Sequence, residues 1–181
     1  MASATPIEHI VLLVLENRAF GHMLGFLPRR GALASLDGLS GDEHFGEHLL
    51  ATIYNALRAD QEVWETCLFV LIYDEHGGFY DHVVPPAGVP NPDGLVSPAA
   101  GMNAEKPPAF DCTRLGMRVP AILVSPWIPP SLDKTVYEHA SVSATLKRLW
   151  RLPSYLTRRD AAAGTCTRTR PSATPVASPG S

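Results

Sequence analysis

Two short apolar runs, each ending in polar side chains, constrain the fold of this chain most strongly. Residues 10–15 are followed by Glu16 and Asn17, and residues 67–73 are followed by Asp74 and Glu75. Short apolar runs of this length are typical of strands in a buried parallel sheet. Ligands of open α/β sheets bind beyond the carboxyl ends of the strands, so these polar side chains are better placed for a ligand than for packing.

The stretch between the two runs has the pattern of a helix. From Gly46, apolar side chains recur at helical spacing on one face, and they are Leu49, Leu50, Ile53, Tyr54 and Leu57. Strand, helix and strand form the unit that builds a parallel sheet. Similar patterns predict a third strand within residues 119–127 and a helix over residues 139–152. We therefore expect an α/β fold with a mostly parallel sheet flanked by helices.

The remaining segments carry weaker signals. A short helix is predicted within residues 19–27, a glycine-rich loop over residues 29–42, and a long loop rich in proline and glycine over residues 83–108. With 181 residues and 45% hydrophobic content, the chain fits one domain. We expect that domain to cover residues 1–160 and residues 161–181 to form a disordered tail.

Composition excludes several classes of protein. The net charge of −3 is scattered, so no basic stripe indicates nucleic acid as a partner. Cys67, Cys112 and Cys166 lack the spacing of a disulfide framework or a thiolate zinc site, and Cys67 is predicted to lie in the core.

The apolar run at residues 10–15 is far shorter than the roughly 20 residues that cross a bilayer. It also lacks a basic region and a cleavage site, so we predict no export signal and no transmembrane segment. The location stays open, and is cytoplasmic for the chain as given.

The polar pairs at the two strand ends predict a divalent metal ion. Asp74 and Glu75 repel each other, and burying both is costly without a cation. Glu16 and Asn17 add a carboxylate and an amide oxygen, which are ligands that hard cations prefer. The strand ends can therefore share one ion, whose identity stays open. The alternative interpretation of Asp74 and Glu75 is a solvated turn after an edge strand.

Five blocks of the sequence occur in the same order in a known family. They are residues 7–25 (IEHIVLLVLENRAFGHMLG), 73–83 (YDEHGGFYDHV), 116–120 (GMRVP), 125–127 (SPW) and 137–142 (YEHASV). In these blocks the chain resembles the phosphoesterase family of bacteria and plants that includes non-specific phospholipase C and related acid phosphatases. The resemblance covers most of the chain up to about residue 163.

This resemblance implies a truncated α/β sandwich related to alkaline phosphatase, which acts on phosphate esters or phospholipids through a metal-assisted phosphoenzyme. Glu16 and Asn17 match the first pair of metal ligands in the family, and Asp74 and Glu75 match the second pair. The ion would stabilise phosphate oxygens and activate an attacking hydroxyl.

Three histidines are candidate catalytic residues beside that metal site. His76, His82 and His139 lie in the blocks that resemble the family, and they are the candidates to bind phosphate or metal. The alternative for His76 and His82 is a hydrogen-bonded structural role in a turn. For His139 the alternative is a role at the start of a helix.

The sequence also departs from the family pattern. Family members are longer, and their extra length includes a serine or threonine nucleophile that is absent here around residues 43–45. Ser40 lies nearest to that junction, but nothing around it indicates activation. Two functions remain open: a metal-dependent hydrolase of phosphate esters, and a catalytically inactive remnant that binds a metal or a partner. An unrelated metal-binding module is a third possibility.

The missing block generates a prediction about self-association. A sandwich without its central block leaves strand edges and apolar faces uncovered, and such surfaces associate in water. We expect the purified protein to elute from a size-exclusion column as oligomers or aggregates. A monodisperse monomer would contradict this expectation.

Overall fold

The computed structural model describes residues 6–24, 41–96 and 110–166. These residues form two compact units, which are each described separately. The first unit contains residues 6–24, 41–83 and 117–130, and the second contains residues 84–96, 110–116 and 131–166.

A small mixed sheet forms the centre of the first unit. Strand β1 (His9–Leu15) pairs in parallel with β2 (Cys67–Tyr73), and the register runs from His9 opposite Cys67 to Leu15 opposite Tyr73. Strand β3 (Ala121–Val124) pairs antiparallel with the other side of β2. Within the described residues the strand order is therefore β1-β2-β3. The predicted α/β class is confirmed, with one antiparallel strand added to the predicted parallel pair.

Strand β2 supplies most of the core because its neighbours cover it on both sides. Six of its seven residues are buried, and Cys67 and Phe69 have exposed fractions of 0% and 1%. The prediction that Cys67 lies in the core is confirmed. On β1, by contrast, Leu12 and Val14 remain 45% and 47% exposed. The central strand thus carries the packing energy, and the outer strand is only partly covered.

Three helices belong to the first unit. They are α1 (Phe20–Leu24), α2 (Gly41–Ala59) and α3 (Gln61–Glu65). Helix α2 begins five residues before the predicted Gly46, while residues 29–40 of the predicted glycine-rich loop lie outside the described residues.

Helix α3 was not predicted, because five residues are too few to show a helical period. Its first turn is capped by Asp60, whose carboxylate accepts hydrogen bonds from the N–H groups of Glu62 and Val63. Trp64 on α3 packs edge-on against Tyr54 of α2, with ring centroids 5.7 Å apart. This aromatic contact fixes the two helices to each other.

Polar contacts join the end of β3 to the start of β2. The buried hydroxyl of Ser125 donates to the carbonyl of Cys67 at 2.8 Å. The indole Nε1 of Trp127 donates to the carbonyl of Glu65 at 2.6 Å. Because these carbonyls lie at the α3–β2 junction, the bonds hold the serine–proline–tryptophan segment against the sheet.

The second unit contains α4 (Ala140–Leu149) and α5 (Arg158–Ala162). The predicted helix over residues 139–152 is confirmed in its central part, and Trp150, which follows its last residue, is 42% exposed. The buried side chains of α4 are small and are those of Ser141, Ala144 and Thr145. Burial of the two hydroxyls is possible because each has a hydrogen-bond partner within the unit.

Parts of the predicted long loop and tail have defined structure in the second unit. Residues 84–96 pair with the segment before β3 through a bridge between Ala87 and Arg114. The N–H of Cys166 donates to the hydroxyl of Thr145 at 2.9 Å. Residues 97–108 of the predicted loop and residues 167–181 of the predicted tail lie outside the described residues. No helix in the part of the chain that the structure describes combines the length and apolar character needed to cross a membrane.

The burial of β2 generates a prediction about stability. Phe69→Ala removes a fully buried ring, and such changes lower the free energy of unfolding by about 3–5 kcal/mol. Leu12→Ala on the partly exposed β1 is the matched control, for which we expect a loss below about 1 kcal/mol. Urea denaturation followed by circular dichroism measures both. Equal losses would show that the core is not centred on β2.

Candidate functional site

The β1–β2 register brings the two predicted ligand segments side by side. After the last strand pair, the N–H of Asp74 donates to the carbonyl of Leu15 at 2.9 Å. The N–H of Arg18 then donates to the carbonyl of Glu75 at 3.0 Å. Backbone pairing therefore continues beyond the strands, and residues 16–18 lie directly beside residues 74–75.

The carboxylates of the second pair are held by backbone N–H groups. Asp74 Oδ1 accepts from the N–H of Asn17 at 3.0 Å and from the N–H of Glu75 at 2.7 Å. Glu75 Oε2 accepts from the N–H of Gly77 at 2.8 Å and lies 3.2 Å from Nδ1 of His76. Asp74 thus connects the two strand ends directly, while Glu75 orders the turn that follows.

A close backbone approach packs that turn against the first strand end. Asn17 has a φ of 65°, and Gly77 has a φ of 63°. A Cβ atom on Gly77 would lie only 2.5 Å from the carbonyl oxygen of Asn17. Position 77 therefore requires glycine both for its backbone conformation and for the space beside Asn17.

The side chains of the predicted metal site do not all lie close together in the described part of the chain. Glu16 and Asp74 are both exposed and lie on adjacent strand ends. Over residues 6–24, 41–96 and 110–166, no three His, Cys, Asp or Glu side chains are close enough to hold one ion together. Ser40 lies outside the described residues.

The three candidate histidines occupy different surroundings. His76 lies beside Glu75 in the turn after β2. The ring of His82 is 63% exposed, and its Nδ1 lies 3.4 Å from Oδ1 of Asp81. His139 is the N-cap residue of α4 in the second unit. His76 is therefore the histidine that contacts a predicted ligand.

An ion pair between a buried carboxylate and a partly exposed arginine near His82 was missed by the sequence interpretation. Arg118 donates from Nε to Asp81 Oδ2 at 2.6 Å and from Nη2 to Asp81 Oδ1 at 2.8 Å. The Asp81 side chain is fully buried, and the guanidinium lies 4.4 Å from the ring centroid of Phe20. The hydrogen bonds from Arg118 lower the pKa of Asp81 although burial opposes this, and Asp81 raises the pKa of Arg118 in turn.

Only the family blocks offered a signal for this pair. Asp81 and Arg118 are 37 residues apart, so no local spacing connects them. Each lies in one of the blocks that resemble the family, at residues 73–83 and 116–120. Two charged residues in separate blocks are a reason to test for a contact between them. Which charged residues form a pair, however, can be seen only in the folded structure.

A depression of about 270 Å³ lies beside this pair. It is lined by Gly21, Phe79, Tyr80 and His82. The guanidinium of Arg18 lies 5.0 Å from the centroid of the Phe79 ring, which is a distance typical of cation–π contacts. The turn after β2 therefore forms a surface that combines aromatic rings with a histidine.

Comparison with known proteins connects this arrangement to one family. The model of the Phosphoesterase family matches residues 35–153, which is more than half of the chain. The chain belongs to the Phosphoesterase family. The matched residues include Asp74, Glu75, Asp81 and Arg118, whereas Glu16 and Asn17 precede them.

Phosphoesterase relatives with curated names include plant and bacterial phospholipases. Non-specific phospholipase C3 of Arabidopsis thaliana is 47% identical over 144 residues, which cover 74% of this chain and 26% of the relative. Non-specific phospholipase C6 of Arabidopsis thaliana is 44% identical over 165 residues, covering 85% of this chain and 29% of the relative. Hemolytic phospholipase C of Pseudomonas aeruginosa is 37% identical over 109 residues, which cover 58% of this chain and 14% of the relative. The chain spans about a quarter of the length of the plant relatives.

The close approach at Gly77 generates a prediction for this member of the Phosphoesterase family. Gly77 and Gly78 both have positive φ, but a Cβ on Gly78 would meet no atom within 4 Å. Gly78→Ala should therefore lower the free energy of unfolding by about 1–2 kcal/mol for its backbone conformation alone. Gly77→Ala should cost clearly more, because its Cβ also collides with Asn17. Equal losses in urea denaturation would contradict the close contact.

The ion pair of Asp81 and Arg118 predicts a dependence of stability on pH. Because the folded-state pKa of Asp81 is lower than its unfolded value, the pair contributes fully above about pH 4. This contribution is lost as the pH falls through the folded-state pKa. We expect Asp81→Asn to weaken the acid sensitivity of the urea midpoint, whereas Asp93→Asn should leave it unchanged. The same pH profile for Asp81→Asn and the unmodified protein would contradict the assignment.

Proposed function

We propose that this protein is a phosphoesterase that hydrolyses phosphate esters with the help of a divalent metal ion. The observation that carries the proposal is the β1–β2 register, which sets Glu16 and Asn17 beside Asp74 and Glu75 in a member of the Phosphoesterase family. Carboxylate and amide oxygens are the ligands that hard cations prefer, and the register brings the two segments that carry them to neighbouring strand ends.

The donor set fits such an ion chemically. Each carboxylate has two oxygens with about four acceptor positions, so Asp74 can bind an ion while it accepts the N–H groups of Asn17 and Glu75. Glu16 and Asn17 would supply the ligands from β1, and Asp74 and Glu75 those from β2. When bound, the ion would stabilise phosphate oxygens and lower the pKa of an attacking hydroxyl or water.

The chain's own residues have separate tasks in this proposal. The N–H groups of Asn17, Glu75 and Gly77 hold the carboxylates of Asp74 and Glu75 in place before a substrate arrives. His76, His82 and His139 are the candidates to bind the phosphate or to move a proton. Of these, His82 lines the depression beside Phe79 and Tyr80.

Phospholipids are the substrates that the relatives support best. The relatives are named as phospholipases C, and in this chain the depression combines two aromatic side chains with a histidine. Aromatic rings with a polar group suit the boundary between a lipid and its headgroup. Soluble phosphate esters are the comparison substrates.

A catalytically inactive remnant is the second candidate function. It is favoured by the absence of a gathered group of three ligand side chains over the described residues. In this case the protein would bind a metal ion or a partner without turnover.

Substitution of Asp74 tests the proposed activity. Asp74→Asn keeps an acceptor oxygen for the N–H groups of Asn17 and Glu75 but removes the negative charge. Loss of a metal ligand should lower the hydrolysis of p-nitrophenyl phosphate and phosphatidylcholine by on the order of a hundredfold or more. Chelation with EDTA should have the same effect, and added Mg²⁺, Mn²⁺ or Ca²⁺ should reverse it.

Glu62→Ala is the control, since Glu62 is an exposed carboxylate on α3 and should leave hydrolysis unchanged. Asp74→Ala removes both the charge and the acceptor oxygen, so it should be at least as damaging as Asp74→Asn. Hydrolysis that survives both substitutions and EDTA would overturn the metal site. If the unmodified protein with added ions cleaves neither substrate, the result supports the second candidate, a protein that binds a metal ion or a partner without turnover.

A further inference from the structure

An aspartate and a histidine that are adjacent in the chain lie at opposite extremes of burial. The Asp81 side chain is fully buried, whereas the next side chain, His82, is 63% exposed. Nδ1 of His82 nevertheless lies 3.4 Å from Oδ1 of Asp81. An exposed imidazole therefore has one of its two nitrogens beside a buried carboxylate.

The position of that carboxylate is tightly determined. Arg118 binds both of its oxygens, and the N–H of Val83 donates to Oδ1 at 3.4 Å. The backbone of α1 approaches as well, since a Cβ on Gly21 would lie 3.0 Å from the same oxygen. Oδ1 of Asp81 thus has little freedom to move, and its direction toward His82 is built into the fold.

The protonation state of Asp81 determines which nitrogen of His82 carries hydrogen. Because Arg118 lowers the pKa of Asp81, the carboxylate is ionised at neutral pH and can only accept hydrogen bonds. In the neutral imidazole one nitrogen is a donor and the other an acceptor. The carboxylate favours the form with hydrogen on Nδ1, which leaves Nε2 on the far side of the ring as the acceptor.

His82 also lines the depression described above, together with Gly21, Phe79 and Tyr80. The nitrogen that Asp81 leaves available therefore belongs to a residue at the wall of this depression.

We propose that Asp81 is a positioning residue for His82: anchored by Arg118 with an oxygen 3.4 Å from Nδ1, its charge keeps hydrogen on Nδ1 and leaves Nε2 free to accept from or bind a phosphate ester in the depression. This role rests on the proposed phosphoesterase function for its substrate. The position of the hydrogen on His82 depends only on groups within the chain. The two can therefore be tested separately.

Long-range ¹H–¹⁵N NMR of the histidine side chains shows which nitrogen of His82 carries hydrogen, without any substrate. In the unmodified protein above the titration range, we expect hydrogen on Nδ1 of His82. His48, which is exposed on α2, serves as the internal reference with hydrogen mainly on Nε2. The signals of His82 are identified by their loss in His82→Gln. A spectrum in which His82 resembles His48 overturns the proposal, and this measurement needs no destabilising variant.

Asp81 is then changed in steps. Asp81→Asn should move the hydrogen of His82 toward Nε2 while His48 stays unchanged. Asp81→Glu keeps the charge and should restore part of the original signal. A folded Asp81→Asn protein with an unchanged His82 signal overturns the proposal.

Enzyme kinetics test the consequence for turnover. Where the unmodified protein hydrolyses p-nitrophenyl phosphate, Asp81→Asn should lower kcat by about tenfold or more with little change in KM, because the wrong nitrogen then faces the substrate. Asp81→Glu should recover part of kcat. An unchanged kcat overturns the positioning role. An inactive unmodified protein instead contradicts the proposed function, and the NMR spectra still decide which nitrogen of His82 carries hydrogen.

Discussion

The parallel pairing of β1 with β2 is the constraint on which the candidate site depends. It is continued beyond the strands by the bonds from Asp74 to Leu15 and from Arg18 to Glu75. Only a residue without a side chain fits at position 77, where the next turn meets Asn17. A one-residue slip of the register would move alternate side chains to the other face and separate the two ligand segments. The site is thus a consequence of strand register rather than of an independent cluster.

The pair of Asp81 and Arg118 is the second organising contact. Burial of a carboxylate is costly, and removal of one partner leaves the other charge unpaired. The pair connects the turn after β2 to the segment before β3, and the carbonyl of Arg118 also accepts from the N–H of Phe20 at the start of α1. Three parts of the chain that are distant in sequence therefore meet around this pair. These contacts fix the position of Asp81 although its turn contains two glycines.

The two halves of the candidate site differ in how they are built. Asp74 and Glu75 are exposed and depend on backbone N–H groups, which tolerate a bound ion because a carboxylate has spare acceptor positions. Asp81 is buried, and its oxygens are already bound to Arg118. The exposed carboxylates therefore suit binding, while the buried one suits orientation.

Local pattern was sufficient to predict the strands around Leu13 and Leu71, the helix that contains Ile53 and the polar residues at the ends of both strands. The reason is that buried strands and amphipathic helices have a hydrophobic pattern that is visible in the sequence. The local pattern and the family blocks both indicated the same four metal ligands, which remain a prediction. Three features needed the fold. The five-residue helix α3 is too short for a period, the buried face of α4 consists of small side chains, and Arg118 finds Asp81 across 37 residues. The sequence alone determined which residues end the strands, because hydrophobic burial is local and periodic. The tertiary structure decided which charges meet, because electrostatic partners are chosen by distance in space.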